Sequence, residues 1–255
     1  MLFNSIEFGI FLPFIFLLYW VLRKNVNTQN LFLLVASYFF YAWWDWRFLS
    51  LIVLCSTTNY VAGILMMKSE KQCTRKTVLI IACCISLGVL GLFKYYNFFI
   101  NAFTDAFFLF GKKLEPHTLN LILPVGISFY TFHTLSYTID VYRRDFIPTK
   151  NIGSFFLFVS IFPLAMAGPI ERATNLLPQI YKRRKFEYNQ AVDGLRQILW
   201  GLFKKVVIAD NCATYVNNIF DTYQDQSGST LLLGLFFLLF KFFVTSPDIQ
   251  IWLLE

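Results

Sequence analysis

Apolar runs long enough to cross a lipid bilayer recur along almost the whole of this chain. A membrane-spanning helix needs about 20 mostly apolar residues, because each residue adds about 1.5 Å across about 30 Å of hydrocarbon. Hydrophobic residues make up 57% of the chain and charged residues 15%, with 31 phenylalanines. A soluble domain carries about 25% charged residues and could not bury this much phenylalanine. The sequence therefore predicts an all-α protein that crosses the membrane several times.

The first apolar run, residues 8–22, is followed by Arg23-Lys24. A cleavable signal peptide has its positive charge before the apolar core, so we interpret this run as a retained first span. The remaining runs predict further spans at 31–44, 48–67, 77–93 and 95–110, and apolar segments at 119–139, 155–167 and 231–244.

Basic residues cluster in the short segments between these runs, and loops rich in Lys and Arg face the cytoplasm. By this rule Arg23-Lys24 and Lys68–Lys76 are cytoplasmic, whereas Asp45 and the N-terminus lie outside. The net charge of +7 thus indicates membrane topology. Binding to nucleic acid would instead need one solvated basic face with stacking aromatic residues, so we expect none.

Residues 119–139 do not read as an ordinary span. They contain Pro124 and Gly126. They also lie between two basic pairs, Lys112-Lys113 and Arg143-Arg144, and this charge would place both ends of the segment on the cytoplasmic side. Either this segment re-enters the membrane or the predicted span at 95–110 is wrong. Irregular backbone at membrane depth needs protein or a cavity around it, which predicts a cavity-lining segment. A proline-kinked helix packed on its neighbours is the alternative.

The cysteines and histidines give no sign of a metal site or of disulfides. None of the five cysteines forms a C-x-x-C pair, and four lie in or near apolar runs, as expected for small core residues. His117 and His133 have no Cys, Asp or Glu partners at ligand spacing. We therefore predict no bound metal or cofactor.

Several short motifs occur in a fixed order along the chain. They are Tyr38-Phe-Phe-Tyr-Ala-Trp43, Pro124-Val-Gly-Ile-Ser-Phe-Tyr-Thr-Phe-His133, Ser136-Tyr-Thr-Ile-Asp-Val-Tyr-Arg143, Phe162-Pro163 with Ala167-Gly-Pro-Ile170, and Gly201-Leu-Phe-Lys-Lys-Val-Val-Ile-Ala-Asp210. Together they closely resemble the membrane-bound O-acyltransferase family, in particular the bacterial polysaccharide O-acetyltransferases of the alginate type. The resemblance covers roughly residues 1 to 238.

The resemblance implies the N-terminal part of a ring of tilted transmembrane helices around a tunnel, in the bacterial inner membrane. An acyl group, here acetyl, would come from acetyl-CoA or an acyl carrier in the cytoplasm. It would pass a tunnel histidine toward an exported polysaccharide, where a separate exported acyltransferase partner usually completes the transfer. A histidine suits such a step because its near-neutral pKa lets it accept and return a proton.

The family motifs also suggest candidate site residues. Those expected to line the tunnel are Ser128, Tyr130, His133, Tyr137, Gly168 and Pro169. The family usually carries Gln at the position of His133, so we interpret His133 as a hydrogen-bonding wall residue and not as the catalytic histidine. Lys204, Lys205 and Asp210 also match motif positions; we interpret them as interfacial anchors and a helix end.

The catalytic Trp-His segment of the family has no counterpart in this sequence. Residues 240–255 also depart from the family, which continues there with an aromatic-Gln-Ile-aromatic-Cys-Asp-Phe-Ser-Gly-Tyr-Ser-Asp stretch. Residues 240–255 can be encoded by codons that have a second meaning in a shifted reading frame. When the reading starts at the last base of the Leu239 codon, the same bases encode Phe-Gln-Ile-Phe-Cys-Asp-Phe-Ser-Gly-Tyr-Ser-Asp-Met-Ala-Ile-Gly. We therefore interpret 1–239 as the N-terminal portion of the acyltransferase domain and 240–255 as an out-of-frame tail.

The expected function follows from this organisation. Residues 1–255 are expected to be an inactive N-terminal fragment of a membrane O-acyltransferase. Two other classes stay open: a lipid or polysaccharide transporter, which should show two-half symmetry that the sequence lacks, and a non-catalytic membrane scaffold, in which changes at Ser128 or Tyr130 would be harmless.

Overall fold

A computed structural model describes residues 5–109, 124–162 and 171–245. This part of the chain is built of helices joined by turns and contains no strand. It divides into two compact units. The central unit comprises residues 21–109, 124–162 and 171–183, and the terminal unit comprises residues 5–20 and 184–245.

The first helix, α1, spans Ile6–Val21 and lies almost entirely in the terminal unit. The helices of the central unit come after it and follow the apolar runs of the sequence. They are α2, Val26–Asp45; α3, Leu49–Lys68; α4, Gln72–Leu90; α5, Tyr96–Leu109; α6, Ile127–Arg143; α7, Ile152–Ser160; and α8, Ala173–Tyr181. A 3₁₀ turn, Trp46–Phe48, leads into α3, and a π turn, Gly91–Tyr95, joins α4 to α5.

Two of these helices are long and apolar enough to cross a membrane. One is Trp46–Lys68, of 23 residues, and the other is Gln72–Thr104, of 33 residues. The second shows that the separate spans predicted at 77–93 and 95–110 are wrong, because one helix runs through both. Lys94 resembled a loop boundary in the sequence, but a π turn accommodates it within the helix. Of the two explanations offered for the charge conflict, the structure thus supports an error in the fifth span.

The predicted irregularity of residues 119–139 is confined to a single turn where the structure describes it. Gly126 has φ 76° and ψ 3°, and the Ile127 N–H bonds to the Pro124 carbonyl oxygen. These are features of a type II turn, which requires positive φ at its third residue and therefore favours glycine there. From Ile127 to Arg143 the helix is uninterrupted. Residues 119–123 lie outside the described residues, so re-entry into the membrane stays a prediction.

Helix α6 packs against both α3 and α4, which also pack on each other. At one end Arg75, in the first turns of α4, contacts the last turn of α6 through the carbonyls of Val141 and Tyr142. At the other end Lys94 contacts Ser128, at the start of α6. Helices α4 and α6 are therefore antiparallel. The Lys68–Lys76 loop and Arg143-Arg144 consequently lie at the same end, as the charge pattern requires.

The central unit buries many polar side chains among its apolar core residues, while many large apolar side chains face outward. On α4, for example, Ile80, Ile81 and Ile85 are exposed while Ser86 is completely buried. Buried polar residues together with large exposed apolar surfaces are unusual in soluble proteins. Helices in lipid lack a hydrophobic driving force for association, and they associate through close packing at small residues and through interhelical hydrogen bonds. The distribution of side chains thus supports a lipid-facing exterior.

Helix α7 ends earlier than its apolar run predicted. The run continues to Ala167, but the helix ends at Ser160, and Ile161 has extended ψ of 117°. Pro163 follows the C-cap residue Ile161 by two positions, where proline is common because it cannot continue the helix. All residues from Phe155 to Phe162 except Phe156 are buried. The helix therefore ends inside the protein and not at its surface.

The terminal unit contains α1 and a long helical segment in the second half of the chain. This segment comprises α9, Tyr188–Phe203; a π turn, Lys204–Ala209; and α10, Asp210–Asp221; it is followed by α11, Gly228–Thr245. The prediction that a helix ends at Asp210 is wrong, because the π turn carries the helix through that position. Residues 240–245 continue α11, whereas residues 246–255 of the expected out-of-frame tail lie outside the described residues.

A close approach between α3 and α6 makes a first prediction possible. A Cβ atom at Gly63 would lie 2.9 Å from the Tyr137 hydroxyl, and Tyr137 is fully buried against Phe155 at a ring distance of 4.7 Å. Gly63→Ala should therefore force the helices apart and lower the free energy of unfolding by about 1–3 kcal/mol. Unfolding of the purified protein by SDS titration would measure this change.

Gly88 on α4 provides the matched control, because nothing lies within 4 Å of its Cβ position. Gly88→Ala should be neutral or stabilising by up to about 1 kcal/mol, since alanine favours helix more than glycine does. Equal destabilisation by both substitutions would contradict the proposed contact between Gly63 and Tyr137.

Candidate functional site: the inward face of helix α6

Helix α6 turns a continuous polar face toward the other helices of the central unit. The buried polar side chains on this face are those of Tyr130, Thr131, His133, Thr134, Tyr137 and Thr138. Ionisable or hydroxyl-bearing groups are expensive in a membrane unless they have partners, and they often mark functional sites there. The partners of this face therefore define what the site can do.

Asn59 joins three helices near the middle of the face. Its Nδ2 donates to Ser86 Oγ on α4, at 3.0 Å, and to the Cys55 carbonyl oxygen of its own helix, at 2.9 Å. The Thr138 hydroxyl of α6 donates to Asn59 Oδ1, at 2.6 Å. All the polar groups of this amide are used, so the arrangement fixes α3, α4 and α6 relative to one another. We assign it a structural role.

His133 forms a hydrogen bond with a backbone carbonyl at the buried C-terminal end of α7. Its Nε2 lies 3.2 Å from the Phe158 carbonyl oxygen, and its ring stacks on the Phe158 ring with centroids 4.2 Å apart. A carbonyl oxygen only accepts, so the proton of this bond is on Nε2. The Phe162 N–H next to this helix end donates to Ser37 Oγ on α2, at 3.2 Å. Last-turn carbonyls otherwise lack partners, and His133 and Ser37 stabilise the break in α7.

Several buried hydroxyl groups on neighbouring helices have no hydrogen-bond partner among the described residues. They include Tyr130 Oη on α6 and Ser56 Oγ on α3. The Tyr41 phenol and the Cys55 thiol lie close enough to the Tyr130 phenol to interact with it electrostatically. A buried donor without a partner costs about 1–3 kcal/mol. Such groups can donate hydrogen bonds to a water molecule or to the oxygen of a substrate.

Ser128 differs from the other candidates on α6. Its hydroxyl accepts a hydrogen bond from Lys94 Nζ, at 3.2 Å, and this contact is exposed. The structure thus places Ser128 beside the π turn of the long helix, while Tyr130, His133 and Tyr137 belong to the buried face. Gly168 and Pro169 lie outside the described residues. A tunnel lined by these residues stays a prediction.

The motif residues of the terminal unit contact one another and an aromatic ring. Lys205 Nζ lies 3.7 Å from Asp210 Oδ1, across the π turn that separates these two residues. Lys204 Nζ lies 5.7 Å from the centre of the Trp200 ring. Both contacts are partly exposed, and exposed ion pairs contribute little to stability. Their role as interfacial anchors stays a prediction.

Arg75 is a buried residue whose role the sequence did not reveal. Its Nη2 donates to the carbonyl oxygens of Val141 and Tyr142, each at 2.8 Å, and its Nη1 donates to that of Met66, at 3.2 Å. The guanidinium thereby binds the C-terminal turns of both α3 and α6. These turns carry partial negative charge and unpaired carbonyls. Arg75 had counted only as one charge of a cytoplasmic loop.

No group of three or more His, Cys, Asp or Glu side chains within residues 5–109, 124–162 and 171–245 could hold a metal ion. All five cysteines are free thiols. The polar side chains of the described site carry hydroxyl, amide and imidazole groups.

Sequence comparison identifies relatives of the chain. It is 37% identical over 235 residues to the "Probable alginate O-acetylase AlgI" of Pseudomonas aeruginosa, which covers 91% of this chain and 44% of that protein. The protein of the same name from Azotobacter vinelandii is 36% identical, over 91% of this chain and 46% of its own length. A peptidoglycan O-acetyltransferase of Helicobacter pylori is 32% identical, over 83% of this chain and 45% of its own length.

These relatives are named as O-acetylases or as an O-acetyltransferase. The chain is homologous, over 91% of its length, to alginate O-acetylases, which are members of the membrane-bound O-acyltransferase family. It spans about half the length of the curated relatives that it matches. No family model matches the chain, and no solved structure does.

Proposed function

We propose that the chain is the N-terminal portion of an O-acetyltransferase of the bacterial inner membrane that modifies an exported polysaccharide. The observation that carries this proposal is the 37% identity, over 91% of the chain, to alginate O-acetylases. The acetyl group, from acetyl-CoA or an acyl carrier, would cross the membrane through a tunnel and pass to an exported partner acyltransferase.

In this proposal the buried face of α6 supplies part of the tunnel wall. Tyr130 and Ser56 have hydroxyl protons to offer to the carbonyl oxygen of an acyl group. His133 holds the broken end of α7 in place, with its proton on Nε2 directed to Phe158. The proton-transfer histidine of the complete enzyme would lie in the part of the relatives that residues 1–255 do not match.

Deletion of the gene tests the proposed reaction. A strain without the gene or a paralogue should produce its exported polysaccharide with little or no O-acetyl ester, measured by NMR of the purified polymer. Because one relative is named for peptidoglycan, the acetyl content of peptidoglycan should be measured in parallel. A loss confined to peptidoglycan would replace the proposed acceptor, and unchanged acetylation of both polymers would refute the proposal.

The charge pattern also makes a prediction about topology. Single cysteines at positions 45 and 71 of a cysteine-free variant should differ in reactivity toward an impermeant maleimide added to intact spheroplasts. Position 45 should be labelled and position 71 should not, because basic loops stay in the cytoplasm. Labelling of position 71 alone would invert the proposed topology, in which the N-terminus is external.

A further inference from the structure

Helices α3 and α6 each carry two buried residues at the same spacing. Ser56 and Gly63 are seven residues apart on α3, and Tyr130 and Tyr137 are seven residues apart on α6. Seven residues make nearly two helical turns, so the members of each pair lie on the same side of their helix, about 10 Å apart along its axis. If the two helices are parallel, a contact between the second members predicts that the first members also lie opposite each other.

Arg75 shows that α3 and α6 are parallel, because it binds the C-terminal turns of both. Its guanidinium donates to the carbonyl oxygen of Met66 near the end of α3 and to that of Val141 near the end of α6. In this pair of helices, the Cβ position of Gly63 lies 2.9 Å from Tyr137 Oη. This contact establishes which residues of the two helices are opposite each other.

The same register places Ser56 opposite Tyr130, two turns closer to the N-terminal ends of both helices. The Tyr130 phenol also interacts electrostatically with the thiol of Cys55, the residue before Ser56. Both side chains are buried, with 0% of Ser56 and 1% of Tyr130 exposed. Neither Ser56 Oγ nor Tyr130 Oη has a hydrogen-bond partner among the described residues. The two hydroxyl groups are therefore neighbours that do not bond to each other.

Two neighbouring buried hydroxyl groups of this kind suit one small oxygen ligand between them. A buried hydroxyl without a partner is unfavourable, because it has lost its hydrogen bonds to water and gained none in the protein. Buried water molecules typically form about three hydrogen bonds with polar groups that otherwise lack partners. A water molecule can accept the proton of one hydroxyl and donate to the oxygen of the other, so it satisfies both at once.

We propose that a water molecule bridges Ser56 Oγ and Tyr130 Oη between α3 and α6. The bridge would connect the two helices two turns before the contact of Gly63 with Tyr137. In the complete protein, the carbonyl oxygen of an acyl group would replace this water, which is the role proposed above for the same hydroxyl groups. Water binding does not require acyl transfer, so it is tested without a donor, and its failure would leave the proposed reaction standing.

A double-mutant cycle of Ser56→Ala and Tyr130→Phe tests the bridge, with unfolding of the purified full chain measured by SDS titration. Each substitution removes one hydrogen bond to the water and should raise the unfolding equilibrium constant about five-fold. The double variant should also show about a five-fold increase and not about 25-fold, because both substitutions act on the same water. Ser56→Ala combined with Tyr137→Phe is the matched control. Tyr137 is a buried tyrosine two turns away on α6, so the effects of this pair should multiply.

Three results would overturn the proposal. If the single substitutions leave the unfolding constant unchanged or lower it, the hydroxyl groups bind no ligand, because removal of an unpartnered buried group is neutral or stabilising. If the effects of Ser56→Ala and Tyr130→Phe multiply as in the control, the two groups share no ligand. A direct bond between the hydroxyl groups would also couple them, and a crystal structure with ordered waters distinguishes this case. Density for one water about 3 Å or less from both oxygens is expected; direct contact of the oxygens, or density larger than one atom, would refute the bridge.

Discussion

Residues 1–255, expressed alone in a strain that lacks the gene, should leave the exported polysaccharide without O-acetyl groups. The family's proton-transfer histidine has no counterpart in this sequence, and general acid–base catalysis typically contributes about 10²–10⁴-fold to a rate. Tunnel walls from the unmatched half of the relatives would also be missing. Loss of the alignment between donor and acceptor can cost as much again. The measurement is the acetyl content of the purified polymer.

A gene with the frame restored after the Leu239 codon should recover acetylation, because the inferred alternative frame would encode the stretch that follows in the family. Sequencing the locus across the codons for residues 231–255 establishes which frame the gene contains. Western blotting of a tagged N-terminus ensures that the short and restored chains are compared at equal abundance.

His133 variants of the restored protein distinguish a wall residue from a catalytic one. His133→Gln should keep activity, because the glutamine amide can donate to the Phe158 carbonyl oxygen that His133 Nε2 now contacts. His133→Leu should lower the free energy of unfolding by about 1–3 kcal/mol, since that carbonyl would lose its partner. Activity of the short chain, abolished by His133→Gln, would contradict both the truncation argument and the role of His133.

Apolar runs and loop charge predicted most of the central unit, because lipid imposes the same length and sidedness on every span. The third run, 48–67, corresponds closely to the helix Trp46–Lys68. The error at 77–110 arose at Lys94, which a charge pattern assigns to a loop. In the structure the lysine lies in a π turn and bonds to Ser128, 34 residues further along the chain. A contact at such a distance leaves no local signal.

The polar interior was only partly predictable for the same reason. Motif resemblance selected Tyr130, His133 and Tyr137, and the structure places all three on the buried face of α6. The sequence analysis did not predict a role for Asn59, although a lone amide within an apolar run can form hydrogen bonds between membrane helices. Its partners, Ser86 and Thr138, are themselves unremarkable residues. Only the packing of three helices brings these groups together.

Replacement of Arg75 should strongly destabilise the central unit. As a charge near the N-terminus of α4, Arg75 opposes the dipole of its own helix. This cost is outweighed because the guanidinium binds three carbonyl oxygens at the C-terminal ends of α3 and α6. Hydrogen bonds to charged groups contribute about 1.5–3 kcal/mol each. Arg75→Met should therefore lower the free energy of unfolding by about 3 kcal/mol or more.

The comparison that makes this prediction decisive uses Lys76, the next residue along α4, which is exposed. Lys76→Met removes the same charge from the same turn and should change stability by no more than about 0.5 kcal/mol. Arg75→Lys keeps the charge but replaces a planar fork, which reaches both helix ends at once, with a single ammonium. The free energy of unfolding of Arg75→Lys, measured by SDS titration, should therefore lie between those of the wild type and Arg75→Met. If Arg75→Lys and wild type unfold alike, charge alone suffices; if Arg75→Met and Lys76→Met unfold alike, the contacts with α3 and α6 contribute nothing.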